Sequence, residues 1–228
     1  MAERTKGLLI STIESSGEVQ MNLDQYFLDQ TINCDAIAFT LRFYIWNDFW
    51  LSIGHHQKQI PDHWLNLEQD RRIQIIRRPS GGGAVLHSGG ITYAITFKKP
   101  LYKKMSYQLV NNWLITTFNK LGLRLKQGSV KKSLIKDNCF GSNFTTDLVD
   151  QNGHKRIGSA QYWKKGSFLQ HGEIILDPPS ELWFEIFGEK APPQIILSAN
   201  KNEIIKELKS SFVSSHPEYL IEDLFISC

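Results

Sequence analysis

The spacing of apolar residues along the chain predicts a mixture of strands and helices. Over residues 40–46 apolar side chains recur at every second position, which is the period of a β-strand. Over residues 106–121 they recur every three or four positions and Gly122 follows, which predicts an amphipathic helix with a glycine stop. The same patterns predict strands at residues 50–53, 73–77, 91–97, 146–149, 155–162 and 168–176, and helices after Pro61, after Pro179 and over residues 202–212.

A further helix is expected near the start of the chain. Asn22 is followed three positions later by Gln25, a spacing that resembles a helix-capping pair. The apolar and aromatic residues expected to form the buried side of this helix are Leu23, Tyr26 and Phe27.

The second half of the chain contains a turn signal and a stretch without periodicity. Asn152-Gly153 lies between two predicted strands, and this pair tolerates the positive φ angles of a tight hairpin turn. Residues 127–144 show no period and are expected to form a long loop. Strands and helices alternate without a regular strand–helix–strand rhythm, so the predicted class is α+β with a mixed β-sheet and packed helices.

Composition places the chain among ordinary globular proteins. It has 228 residues, of which 41% are hydrophobic and 21% charged, so we expect a single domain spanning residues 1–228 with a substantial core. The net charge of +3 does not indicate a nucleic-acid-binding protein, although it is compatible with an acidic protein partner.

The cysteines and the apolar runs predict a cytoplasmic protein. Cys34, Cys139 and Cys228 are far apart and form no CxxC pair, which argues against a disulfide framework and a zinc site. No apolar run approaches the roughly 20 residues that span a bilayer. The N-terminus lacks the apolar core of a secretory signal, so no membrane association is expected.

The glycine-rich stretch RRPSGGGAVLH, residues 77–87, is the strongest local motif. Three consecutive glycines after a predicted strand let the backbone approach a ligand, and the arginines supply cationic donors for phosphate or carboxylate. A P-loop is excluded because no lysine follows the glycines, and Leu86 stands where a dinucleotide fingerprint has glycine. From residue types alone, a ligand loop and a plain turn remain equally open.

Three single residues are candidates for chemistry, each with a structural alternative. Lys155 would stabilise negative charge on a ligand, but an exposed hairpin lysine is the commoner case. His171 would orient a substrate or serve only the structure. Cys139 follows several lysines, which lower a thiol pKa, yet a lone cysteine is usually inert. His55-His56 has no partner at metal-ligand spacing, so no metal site is predicted.

Taken together, the motifs resemble the catalytic domain of the biotin/lipoate protein ligase family. The resemblance extends from Met21 to about residue 177, roughly two thirds of the chain, and RRPSGGGAVLH followed by KxxGSAQ is its most specific part. The matching segments, in family order, are MNLD, LRFYIWNDFWLSIGHHQ, RRPSGGGAVLH, GHKRIGSAQ and LQHGEIILD.

The resemblance implies both a fold and a set of site residues. The fold is a mixed-sheet α+β domain, similar to biotin synthetases and class II aminoacyl-tRNA synthetases, with the acyl chain in a hydrophobic tunnel. Lys155 matches the lysine that contacts the acyl carbonyl. The remaining substrate-binding residues implied in this way are Arg78, Ser80, Gly81, Gly82, Gly83, His87, Gly158, Ser159, Ala160 and His171.

The family contains two chemistries, and the resemblance favours the one that uses a cysteine. Octanoyltransferases carry octanoate from acyl carrier protein through a cysteine thioester without ATP, and Cys139 matches the nucleophile of one such branch. Lipoate ligases use ATP and magnesium to form a lipoyl-adenylate. The SGGGAV form of the loop is closer to ligases, whereas the chain length leaves no room for a ligase accessory domain.

Two other functions fit less well, and the partners follow from the chemistry. A biotin ligase normally has a different glycine loop, and a non-catalytic acyl-domain binder would not need Cys139 and Lys155 in their motifs. The implied donor is acyl carrier protein, and the implied acceptor is a lipoyl domain or the glycine-cleavage H protein. An acidic donor would suit the lysines at 131, 132, 136, 164 and 165.

Overall fold

A computed structural model describes residues 5–98, 102–128 and 146–226 of the chain. Strands and helices are mixed along the sequence, which confirms the predicted α+β class. Within these three ranges, no helix is long and apolar enough to cross a membrane.

The strands follow one another along the whole described chain. Their bounds are β1 (Lys6–Ile10), β2 (Ile13–Ser15), β3 (Ile37–Trp46), β4 (Trp50–Ile53), β5 (Gln74–Arg77), β6 (Val85–His87), β7 (Ile91–Lys98), β8 (Lys126–Gln127), β9 (Leu148–Val149), β10 (Lys155–Lys164), β11 (Ser167–Ile174) and β12 (Leu220–Leu224).

The helices lie between these strands and agree with most of the periodic stretches. Their bounds are α1 (Gly17–Asn33), α2 (Asp62–Gln69), α3 (Lys103–Lys120), α4 (Ser180–Phe187) and α5 (Lys201–Ser214). The helix that was predicted over residues 106–121 is α3, and the one predicted over residues 202–212 is α5.

A large mixed sheet forms the centre of the described structure. Its strand order is β12-β1-β3-β7-β11-β10-β9-β8, and β2 also pairs with β3. The pairs β12–β1, β1–β3 and β2–β3 are parallel, whereas β3–β7 and the following pairs up to β8 are antiparallel. A smaller sheet has the order β5-β4-β6 and carries the glycine-rich stretch between β5 and β6.

Apolar side chains fill the space between the helices and the sheets. Residues of β3, β7 and β11 pack with those of α3 and α5, where Trp113 and Phe212 meet edge to face with ring centroids 5.1 Å apart. A second cluster joins the smaller sheet to α2 and α4. The cavity described below is bordered by both sheets.

The prediction for α1 was wrong in its start and in the burial of Tyr26, whereas Phe27 is buried as expected. The helix begins at Gly17, and the hydroxyl of Ser16 accepts a hydrogen bond from the Val19 amide, so Ser16 caps it. Tyr26, expected to be buried, is 53% exposed. The buried face instead includes Asp24, whose burial depends on charged and polar partners from distant strands.

Some elements were not predicted because their sequences carry no period long enough to read. β2, β6 and β8 have three, three and two residues, and β1 and β12 lie at one side of the sheet. The expected loop at residues 127–144 begins at the end of β8, and most of it lies outside the described residues. The hairpin at Gln151-Asn152-Gly153 is present, with Gly153 at φ 84°.

Candidate active site

A cavity of about 380 Å³ lies beside the glycine-rich loop. β4 and β6 of the smaller sheet border it on one side, and β7, β10 and β11 of the large sheet border it on the other. Its lining includes Tyr44, Ser52, His56, Arg78, Gly81, Gly82, Val85, His87, Thr92, Lys103, Tyr107, Thr146, Asp147, Gly158, Ser159, Ala160, Gln161, His171, Gly172 and Glu173.

The structure brings most of the expected site residues to this one cavity. The expected residues in its lining are Arg78, Gly81, Gly82, His87, Gly158, Ser159, Ala160 and His171. Ser80, Gly83 and Lys155 are not in the lining, but each contacts a residue that is. Cys139 lies outside the described residues. Its role and the roles of the other site residues stay predictions.

The Arg78 side chain holds the glycine loop in a tight curve. Its guanidinium donates to the carbonyl oxygens of Gly81 and Gly83, at 2.8 and 2.7 Å, and to the backbone carbonyl of Ser52 at 2.9 Å. The loop also touches Gly54, where an added Cβ would lie 1.9 Å from the Gly82 carbonyl oxygen. The Arg78 guanidinium therefore binds the backbone of the loop. Gly54 must lack a side chain for the loop to approach β4.

His171 is held between a carboxylate and a hydroxyl group. Its Nδ1 lies 2.9 Å from an Asp24 oxygen, and its Nε2 lies 2.5 Å from the Ser80 hydroxyl oxygen. An ionised carboxylate only accepts hydrogen bonds, so Nδ1 carries the proton, and in the neutral ring Nε2 accepts from Ser80. The result is a serine–histidine–aspartate chain in which His171 borders the cavity and Ser80 is buried.

Asp24 is a buried anion with three partners. Arg42 donates to it at 2.6 Å, and the Tyr44 hydroxyl donates to it at 3.0 Å. Burial, followed by the nearby Asp24 charge, raises the pKa of Tyr44 well above its usual value, so Tyr44 stays protonated as a donor. The Arg42 guanidinium also lies 4.1 Å from the centre of the Tyr44 ring. These contacts hold the Asp24 carboxylate in place, and the carboxylate in turn orients the His171 ring.

His87 forms a parallel chain with Glu173. Its Nδ1 lies 2.8 Å from the Glu173 carboxylate, and its Nε2 lies 2.8 Å from the Ser52 hydroxyl oxygen. Burial lowers the pKa of His87, against the opposing influence of Glu173, so the ring is neutral at pH 7. The imidazole stacks on Trp46 with centroids 4.0 Å apart. Thr92 also donates to Glu173 and accepts from Trp46.

Further polar groups of the lining are paired through the sheet. The Ser159 hydroxyl lies 2.7 Å from the Tyr93 hydroxyl, which also accepts from Gln170 at 2.8 Å. Burial raises the pKa of Tyr93, so its hydroxyl keeps its proton. Because these polar atoms bond to one another, their hydrogen-bonding groups are satisfied within the protein.

Lys155 forms a buried ion pair with Asp147. The ammonium nitrogen lies 2.8 Å from a carboxylate oxygen, and the two side chains are 2% and 4% exposed. Asp147 borders the cavity, whereas Lys155 is not one of its lining residues. In the adjoining turn, Arg156 donates to Asp150 at 2.7 Å. Lys155 thus places a positive charge next to the cavity wall and is not the exposed hairpin lysine of the alternative interpretation.

Sequence reasoning missed the carboxylates that orient the two histidines. Glu173 is two residues after His171 on β11, so both side chains lie on the same face of the strand. This spacing in LQHGE was a usable signal. Asp24 gave no such signal because it lies 147 positions from His171. Among the described residues, no group of three or more histidine, cysteine or acidic side chains is arranged to hold a metal ion.

Comparison with solved structures shows which fold the chain has. A T. acidophilum protein described as a lipoate protein ligase, solved with bound lipoic acid, superposes with a TM-score of 0.77. The superposition covers 98% of this chain and 90% of that protein, at 20% sequence identity. The fold is therefore that of the lipoate-protein ligases.

The chain belongs to the family of the lipoyl protein ligase A/B catalytic domain, whose sequence model matches residues 16–208. It is 33% identical to the octanoyltransferase LipM of Brevibacillus brevis, over 94% of this chain and 82% of that protein. It is 36% identical to the octanoyltransferase LipM of Clostridioides difficile, over 67% of this chain and 59% of that protein. The family expected from the motifs is confirmed.

Proposed function

We propose that this chain transfers an octanoyl group, in the cytoplasm, from acyl carrier protein through a Cys139 thioester to a lysine of a lipoyl domain or the glycine-cleavage H protein. Its similarity to octanoyltransferases supports the transfer of an octanoyl group. The cavity beside the glycine loop is the observation that carries the proposal. It has a loop backbone for the acyl carbonyl, a buried cation paired with Asp147 of its lining and paired polar groups along its sides.

The place of Cys139 in the sequence supports its role as the nucleophile. Residues 129–145 connect Gly128 to Thr146, and Thr146 borders the cavity. Cys139 precedes Thr146 by seven positions, a stretch that spans at most about 25 Å when extended. The cavity is thus within reach of Cys139.

In the first step, the Cys139 thiolate attacks the carbonyl carbon of the octanoyl thioester. A new carbon–sulfur bond forms, and the bond to the pantetheine sulfur breaks as the oxyanion collapses. The free pantetheine thiolate then takes up a proton from solvent. Amide groups of the glycine loop stabilise the oxyanion, and Lys155 does so when its ammonium group turns from Asp147 to the acyl carbonyl.

In the second step, the neutral amine of the acceptor lysine attacks the Cys139 thioester. An amide bond forms, the Cys139 carbon–sulfur bond breaks, and the proton lost by the amine neutralises the departing thiolate. Both steps start from a thioester, whose acyl group is already activated, so the proposal requires neither ATP nor magnesium.

The test is intact-protein mass spectrometry after the enzyme is mixed with octanoyl-acyl carrier protein without ATP or magnesium. We expect a mass gain of one octanoyl group that hydroxylamine removes and that Cys139→Ala abolishes, with Cys34→Ala as the matched control. Modification of a lipoyl domain only when lipoate and ATP are supplied would contradict the proposal and make the chain a ligase.

A further inference from the structure

A second groove, of about 400 Å³, continues from the cavity to the protein surface. The two share Lys103, Tyr107 and Thr146 in their linings. The groove runs along the N-terminal half of α3, past the end of β8. Its remaining lining residues are Lys104, Gln108, Asn111 and Gln127. A long ligand bound in this groove could extend into the cavity, where the reacting carbonyl of the proposed substrate lies.

The groove carries positive charge that the helix itself disfavours. Lys103 and Lys104 are exposed and occupy the first turn of α3, where no acidic residue is present. The helix dipole makes cations unfavourable at this end. None of the ion pairs found among the described residues involves either lysine. An anionic ligand would give both charges a partner.

The floor of the groove contains a buried hydrogen-bond acceptor without a partner. Asn111 is 1% exposed, and its side-chain amide nitrogen donates to the Thr146 carbonyl at 3.0 Å. Its side-chain oxygen is buried and has no hydrogen-bond partner within the described ranges. A buried acceptor left unpaired destabilises a fold. A ligand with an amide N–H group would satisfy this oxygen.

We propose that the groove binds the phosphopantetheine arm of the donor carrier protein, an inference that rests on the proposed octanoyl transfer. The phosphate contacts Lys103 and Lys104 at the surface, the amide part of the arm donates to Asn111, and the thioester end enters the cavity.

The acceptor protein fits this groove less well. The acceptor presents a lysine side chain, which has neither a phosphate nor an amide near its reactive end, and Lys103 and Lys104 would repel its positive charge. The acceptor lysine therefore approaches the cavity by another side. Substitutions in the groove should then affect enzyme acylation by the donor more than transfer to the acceptor.

The experiment measures enzyme acylation with three octanoyl donors that shorten the arm step by step. These are octanoyl-phosphopantetheine, octanoyl-pantetheine without the phosphate, and octanoyl-N-acetylcysteamine without the second amide. Each donor pair is compared on the same enzyme sample, so the ratio of kcat/KM values does not depend on the fraction of folded protein. Transfer from preformed octanoyl-enzyme to a lipoyl domain is measured in parallel.

We expect the double substitution Lys103→Gln and Lys104→Gln to lower the preference for the phosphorylated donor by about tenfold or more. Lys120→Gln, at the far end of the same helix, is the matched control and should leave this preference unchanged. Asn111→Leu should reduce the preference for octanoyl-pantetheine over octanoyl-N-acetylcysteamine. Transfer to the lipoyl domain should change less than the donor preference in the lysine variant.

Two results would overturn the inference and leave the proposed function standing. In the first, the wild-type enzyme is acylated normally and the substituted variants show the same donor preferences as the wild type. The other is a lysine variant that loses transfer to the lipoyl domain and keeps its donor preference, which would assign the groove to the acceptor. Failure of every donor to acylate the wild-type enzyme would overturn the octanoyl transfer itself, and the arm site with it.

Discussion

At the scale of single residues, His87 shows how the site fixes a protonation state. The ring is buried between Trp46 and the smaller sheet, with Glu173 on one nitrogen and the Ser52 hydroxyl on the other. Burial penalises the imidazolium and lowers the pKa of His87 below its ordinary value of 6.5. The neutral ring accepts from Ser52, and the Arg78 guanidinium lies 3.2 Å from the same hydroxyl oxygen.

This lowered pKa predicts a pH dependence of stability. Below pH 6.5 the unfolded chain binds a proton at His87 that the native state does not bind, so the free energy of unfolding falls as the pH falls. His87→Gln removes this proton-binding group, so the free energy of unfolding should depend less steeply on pH between pH 7.5 and 5. Urea unfolding at both pH values measures it, with His55→Gln, which removes an exposed imidazole, as the control. An unchanged slope in His87→Gln would contradict the assignment.

The Asp24–Arg42 pair is the second residue-scale feature with a measurable consequence. The two side chains are 0% and 1% exposed, and Asp24 also orients His171. Removing one member leaves the other as an uncompensated buried charge, which costs about 3–5 kcal/mol. The pair therefore couples stability to the orientation of a cavity histidine.

A double-mutant cycle tests this coupling. We expect Asp24→Leu and Arg42→Met to lower the free energy of unfolding by about 3–5 kcal/mol each, and the double variant to lose clearly less than their sum. Denaturant unfolding of the four proteins gives the interaction energy. Strict additivity would show that the two charges do not depend on each other.

At the scale of elements, the glycine loop takes its position from β4. Arg78 ties the loop to Ser52, and the His55 amide donates to the Ser80 carbonyl at 2.9 Å. Gly54 lies directly below the loop, where there is no space for a side chain. The loop is thus held by contacts with the smaller sheet, and its own flexible glycines do not fix its position.

Gly54→Ala should displace the loop. The added methyl group would lie 1.9 Å from the Gly82 carbonyl oxygen, so the loop must move, at a cost of about 1–3 kcal/mol. We expect slower acylation and a lower free energy of unfolding. Gly81→Ala is the control for stability, because an added Cβ there meets no atom within 4 Å and should change stability by less than about 0.5 kcal/mol. Equal stability losses in the two variants would contradict this account.

At the scale of the whole molecule, the site is supported by the best-buried strands. β3, β7 and β11 have neighbours on both sides within the large sheet, and β11 carries His171 and Glu173. β12 ends the sheet order on one side, with Leu220 47% exposed and Leu224 38% exposed. Local stability should therefore fall from the site toward this edge.

Hydrogen exchange followed by mass spectrometry measures this gradient. Amides of β7 and β11 should exchange only through global unfolding, whereas those of β12 should exchange at least about tenfold faster. Protection of β12 equal to that of β11 would show that the sheet opens as one unit. The comparison uses peptides from the same digest, so each sample contains its own control.

Local patterns in the sequence determined most elements and the motifs of the site. The period of residues 106–121, the Asn-Gly turn and the glycine stretch act over a few neighbours, so they can be interpreted without the fold. The resemblance to the family added the list of residues, eight of which line one cavity. The start of α1 was misplaced because Asn22 and Gln25 fit a cap as well as Ser16 does.

The tertiary structure alone decided which polar groups pair. Asp24 meets His171 across 147 positions, and Glu173 meets His87 across 86. Such contacts depend on the register of β11 against β7 and on how α1 packs on the sheet, and no local period encodes them. The sequence by itself therefore indicated eight of the residues that line the cavity. Folding determined their partners, because burial makes an unpaired charge so unfavourable that distant side chains must compensate it.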